Sequence, residues 1–227
     1  MCAQSPVPTN GWSKLHLGTH ICSIYSGREE QFSTLTSFFS EGFNNQERCI
    51  YIFDENTPEE ISSRIPDGVV MSDGSVVPKG LEILNYKEIY TKGGSFDADR
   101  MISLVEDTIE DSLKQNYSGI RVAGEMSWVI SSETPVEKLI KYEQKLNIFY
   151  PKQKVIGICQ FNEEKFSPEF LIEMIRMHPY IVIHGKIYEN QYFYTDPKYT
   201  DVALNKFKAA DYKTVLSIIM DEGLVVG

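Results

Sequence analysis

Six short apolar runs, separated by segments of helical periodicity, predict an α/β protein. Its expected core is a mainly parallel, doubly wound sheet with helices on both faces. The runs cover residues 20–25, 49–53, 81–84, 120–123, 155–159 and 180–183. Most are apolar on both faces and rich in Ile, Val, Tyr and Phe, as strands covered by helices on both sides must be. Helix-start signals follow closely behind the strands, as βα units require. A chain of 227 residues with 42% hydrophobic content can build a full-sized core of this kind.

The elements read in order as follows. Residues 1–10 are rich in Pro, Ser and Asn and are expected to be loose, within a flexible segment 1–14. After the first strand, Phe32, Leu35, Phe39 and Phe43 repeat on one helical face. Thr57-Pro58-Glu59-Glu60 and Thr134-Pro135-Val136-Glu137 each place a capping Thr before Pro and a Glu. The Thr oxygen and the Glu satisfy orphan amides, and Pro has no N–H to lose. Ser167-Pro168 repeats half of that signal. Met101, Leu104, Val105 and Thr108 share a face, as do Leu139, Tyr142, Glu143 and Leu146, the latter set with one polar member. A tail over 198–227 departs from this rhythm. Its Tyr212, Val215, Leu216 and Ile219 have helical spacing, for core packing or for a dimer or partner contact. A doubly wound sheet of about five or six strands is the expected architecture.

Composition excludes several classes. The net charge is −10 and no stretch gathers Lys and Arg, so direct binding to a phosphate backbone is not expected. No apolar run reaches the ~20 residues that cross a bilayer, and no basic start with an apolar stretch marks a secretory leader. The expected location is cytoplasmic. Of the four cysteines, Cys2, Cys22, Cys49 and Cys159, none forms a C-x-x-C pair. Cys49 and Cys159 read as reduced core thiols.

The first strand runs into Ser26-Gly27-Arg28-Glu29-Glu30. A phosphate loop would need more glycines and a Lys there, so no nucleotide is expected. Gly93-Gly94 reads as a tight turn. There is no G-x-S-x-G and no nucleophile motif, so the chain is not expected to be an enzyme. Ligands in doubly wound sheets settle beyond the carboxyl ends of the strands. That rule points to Tyr25, to Glu125 and Trp128 in Arg121-Val122-Ala123-Gly124-Glu125-Met126-Ser127-Trp128, and to Gln160. Glu125 either holds a polar ligand group or caps the next helix; Trp128 is either a ligand wall or core. His20 and Cys22 lie two apart on a strand and share a face, which with His178 makes an incomplete metal or haem ligand set or a structural pair. Tyr25, Tyr86, Tyr90, Tyr142, Phe161, Tyr188, Tyr192 and Tyr194 add many amphipathic rings.

These residues resemble the methanogen/methylotroph sensory domain, the MEDS family. The resemblance is carried by His20-Ile21-Cys22-Ser23-Ile24-Tyr25 with Glu29-Glu30-Gln31, by Tyr90 and Gly94-Ser95-Phe96-Asp97, and by the Gly124-Glu125-Met126-Ser127-Trp128 stretch. It continues with Tyr142-Glu143 and Asn147, Cys159-Gln160-Phe161, and His178-Pro179 with Asn190. It implies a domain over 15–197 with a RecA- or KaiC-like core that lacks the phosphate loop. It also implies a sensory role toward small hydrocarbon derivatives, such as methylated or halogenated one-carbon compounds. His20 and Cys22 map to the family's ligand-contacting His and Cys. Members are often fused to a histidine kinase or a DNA-binding module, for which these 227 residues are expected to leave too little sequence. Output is expected through a partner such as a histidine kinase or transcription regulator, through a homodimer, or through the tail. The rival readings are a thiol- or metal-dependent enzyme of one-carbon groups, with zinc or a corrinoid, and an interaction module that docks a kinase or regulator.

Overall fold

The computed structural model describes residues 11–65, 69–70, 76–77, 80–193, 211–223 and 225–226. Among them, a seven-stranded sheet runs in the order β5-β2-β6-β7-β1-β8-β9. Its strands are β1 (His20–Tyr25), β2 (Arg48–Phe53), β5 (Glu82–Asn85), β6 (Ile120–Glu125), β7 (Val155–Asn162), β8 (Tyr180–Ile183) and β9 (Lys186–Glu189). The first six are mutually parallel, and β9 returns antiparallel beside β8. The short strands β3 (Val69–Val70) and β4 (Val76–Val77) pair separately. The doubly wound α/β class predicted by the sequence is therefore the observed one.

Each side of the sheet has its own core. On one side lie α1 (Arg28–Asn44) and α2 (Pro58–Arg64), whose Phe32, Leu35, Phe38, Phe39 and Ile61 meet Ile21, Tyr51, Ile156 and Ile158. On the other lie α3 (Tyr86–Ile89), α4 (Ala98–Lys114), α5 (Trp128–Ser131), α6 (Val136–Phe149), α7 (Pro168–Arg176) and the Tyr212–Glu222 helix. There Cys22, Ile24, Cys159 and Phe161 face Leu139, Tyr142, Leu146, Met174, Val215 and Ile219. The Tyr212–Glu222 helix thus buries its apolar stripe in the common core. Trp12, in a 3-10 turn at Trp12–Lys14, packs edge-on against Phe38 at 5.4 Å, so residues 12–14 join the α/β body. Residues 1–10 and 194–210, with Cys2 and Tyr194, lie outside the described residues.

The helix starts can be compared one by one. Thr57 caps α2 by accepting from the Glu60 amide at 3.2 Å, and Ser167 caps α7 from Phe170 at 3.3 Å. At α6 the cap falls one residue later than expected. Pro135 takes the cap position with no side-chain bond, because the Thr134 hydroxyl is engaged with Ser132 at 2.7 Å. Gly93 and Gly94 do form a turn, closed by the Gly94 amide on Thr91 at 2.9 Å. The strand that periodicity missed, β9, is a four-residue edge strand. A two-residue turn joins it to β8, with His184 and Gly185 both at positive φ (50° and 71°). That is the backbone a tight hairpin needs.

Two tight contacts depend on single residues. Arg121 is fully buried on the α1 side, paired with Glu47, donating to the Phe38 carbonyl at 3.3 Å and lying 4.9 Å over the Phe38 ring. On the opposite side, Gly157 of β7 leaves room for Tyr150, whose hydroxyl would lie 2.7 Å from any added Cβ.

Removing one partner of a buried pair strands the other charge. Arg121→Met is therefore expected to cost about 3–5 kcal/mol in denaturant unfolding, and much of that loss should return in the Arg121→Met, Glu47→Leu double variant. Gly157→Ala is expected to cost about 1–3 kcal/mol by overpacking. Pairing it with Tyr150→Leu should relieve most of that loss; independent, additive losses would contradict the contact.

Candidate functional site

The sheet sorts the residues singled out in the sequence onto its two faces. Side chains alternate along a strand, so β1 sends His20, Cys22 and Ile24 to the α6/α7 side, and Tyr25 to the α1 side. In β7 the same alternation sends Cys159 one way and Gln160 the other. The register places Cys22 beside Cys159, His20 beside Gly157, and Glu125 beside Gln160. His20, Cys22 and His178 are thus brought together, while Tyr25, Glu125 and Gln160 gather on the opposite face.

The α1-side group lies at the carboxyl ends of the strands, where a ligand was expected, but its acceptors are taken by the protein itself. Glu125 is fully buried. One of its oxygens accepts from the Asp54, Glu55 and Asn56 amides at 2.8, 2.6 and 3.4 Å, and the other from Tyr51 and the Asn56 side chain. Gln31 links Asn56 to Gln160 through bonds of 3.0 and 3.3 Å. Of the two readings of Glu125, helix cap or ligand anchor, the carboxylate follows neither: it pins the turn after β2. At the end of β1, the Ser26 amide is likewise taken by Glu30 at 2.9 Å.

The α6/α7-side group has a different character. Glu143 and Asn147 stand one turn apart on α6 and grip both nitrogens of His20. His20 Nδ1 lies 2.8 Å from Asn147 Oδ1, and His20 Nε2 lies 3.2 Å from Glu143 Oε2. Asn147 spends its amide donor on the Met177 carbonyl at 2.6 Å, so its oxygen faces His20 and accepts the Nδ1 proton. His178 stands just past α7, and its Nδ1 donates to the Met174 carbonyl at 2.7 Å. Its Nε2 therefore turns a lone pair toward Glu143 Oε2, 3.4 Å away. The Cys159 thiol completes the group, 3.5 Å from His20 Nε2 and 3.9 Å from Glu143 Oε2. The second oxygen of Glu143 is buried without a hydrogen-bond partner.

The electrostatics follow from burial and proximity. Burial, then His20, lowers His178 and keeps its ring neutral against the opposing pull of Glu143. Burial and Glu143 push the Cys22 and Cys159 thiols well up. Tyrosines surround the group: Tyr150 sits edge-on to His20 at 5.2 Å, and Tyr90 lies against Gly124. Trp128 stacks on Tyr90 at 4.7 Å, with its indole N–H buried and unpaired.

Sequence reading missed Glu143 and Cys159 as site residues. Glu143 was the polar member of an otherwise apolar helical face, which is itself a signal, since a buried carboxylate demands a partner. Cys159 read as a core thiol, and only the strand register sets it beside Cys22.

A family model described as MEDS, the methanogen/methylotroph, DcmR sensory domain, matches residues 19–179 and so spans all four members of the group. No curated protein matches the chain. No described helix is long and apolar enough to cross a membrane. The chain belongs to the MEDS family of sensory domains.

Proposed function

We propose that this chain senses a small, mostly apolar ligand, of the class of methylated or halogenated one-carbon compounds, at the His20–Glu143–Cys159–His178 group, and reports through a partner. The observation that carries this reading is a fully buried set of convergent polar atoms inside an aromatic core. Polar groups there, including the unpaired Glu143 Oε1 and Trp128 Nε1, are costly unless something bonds to them. Cys159 keeps 8% exposure on a central strand where its neighbour Cys22 keeps none.

A route to the surface begins at His178. Asn190 donates to the carbonyls of Ile175 and His178, both at 2.8 Å, and thereby ties the end of α7 to the end of β9. Tyr192, two residues on, bonds Glu222, and Tyr212 bonds Glu163 at 3.2 Å. A ligand that favours one position of His178 would bias the packing of the Tyr212–Glu222 helix, since only differential affinity moves an equilibrium. A kinase, a transcription regulator or a second copy of the chain would read that helix.

Titration calorimetry with methanol, methylamine and dichloromethane tests this reading. At least one class should bind saturably to the wild-type chain, and His20→Gln should weaken that binding by about tenfold or more without a matching loss of fold by circular dichroism. Wild-type affinity in His20→Gln, or no binding by any of the three, would overturn it.

A further inference from the structure

The spacing of the four groups has its own chemical meaning. Four ligands bonded to zinc at about 2.0–2.3 Å in a tetrahedron stand about 3.3–3.8 Å from one another. Here the neighbouring ligand atoms stand 3.2, 3.4, 3.5 and 3.9 Å apart, and all lie within 4.8 Å of one another. Both imidazoles are oriented from behind, His20 by Asn147 and His178 by the Met174 carbonyl. Metal-ligating histidines are positioned in this way, with the far nitrogen donating and the near one free to coordinate. Two imidazole lone pairs, a carboxylate oxygen and a thiol sulfur then meet in a closed volume. Such a meeting of lone pairs favours positive charge at its centre.

We infer that His20 Nε2, His178 Nε2, Glu143 Oε2 and Cys159 Sγ bind a divalent first-row transition metal, with zinc the best match to the donor set. Two nitrogens, one oxygen and one sulfur in tetrahedral array suit zinc, whereas Mg²⁺ and Ca²⁺ require oxygen ligands. On binding, the Cys159 S–H bond breaks, the proton leaves to solvent and a sulfur–metal bond forms. The cysteine that sequence reading placed in this set was Cys22; the ligand-atom distances put Cys159 in its place and add Glu143. The inference deepens the proposed sensing role of the same group. The metal would give a small ligand a coordination point, and displacement of Glu143 or Cys159 would shift α6 against β7.

The 227-residue chain expressed in cobalt-supplemented medium tests the assignment through Co²⁺, which takes the zinc geometry and absorbs visibly. About one metal per chain is expected, with the intense visible bands of tetrahedral cobalt and a thiolate charge-transfer band in the near ultraviolet. Cys159→Ser should remove the charge-transfer band, Cys22→Ser should retain it, and His178→Gln should lower occupancy about tenfold or more. Wild-type chain that is folded and free of metal would overturn the inference, leaving a proton as the central charge. So would a charge-transfer band that follows Cys22, or occupancy unchanged in both Cys159→Ser and His178→Gln. The readout is the metal itself, so the inference fails or holds separately from any binding of a one-carbon compound.

Discussion

A single carboxylate, fully buried on α6, organises one whole side of this sheet. Leaving a carboxylate uncompensated in an apolar interior costs several kcal/mol, so Glu143 dictates what may stand near it. Around it stand His20 from the start of β1, His178 from the segment between α7 and β8, and the Cys159 thiol of β7. Three strands or strand ends and two helices are thereby fixed around one point. Side chains behind this group serve the same constraint, since Asn147 and the end of α7 hold the imidazoles at the angles that face the carboxylate.

The two sides of the sheet differ in how their buried charge is balanced. On the α1 side, charge is balanced within the protein: Arg121 meets Glu47, and Glu125 is saturated by loop amides and neighbouring side chains. Those interactions hold the strand order and the turn after β2. On the α6/α7 side, lone pairs converge without such balance. Under the proposed function, this asymmetry separates scaffold from sensor more clearly than position along the strands does. The expected place for a ligand, beyond the carboxyl ends, is where Glu125 fills the donors of its own loop.

Much of the fold was legible because the signals were local. Apolar runs marked the six parallel strands, and Thr57 and Ser167 marked two helix starts through bonds within one turn of chain. The failures were also local in origin. Strand β9 is too short and too exposed at its ends to show periodicity, and Thr134 lost its capping role to a hydroxyl two residues away. The site was only half legible. His20 and His178 could be named from residue type, but Cys22 and Cys159 differ as candidates only through register and depth. Glu143 could be recognised only once the helix face carrying it was known to lie on the sheet. Grouping Tyr25, Glu125 and Gln160 with His20 failed for one geometric reason, the alternation of side chains across β1, β6 and β7.

The central claim is that both imidazoles present unprotonated Nε2 atoms to Glu143 and Cys159, with the ring proton held on Nδ1. Long-range ¹H–¹⁵N correlation spectra of the histidine rings report the protonated nitrogen directly. His178 and His20 are expected to carry a proton on Nδ1, bonded to Met174 and Asn147. A ring proton found on Nε2 alone, in either residue, would contradict it.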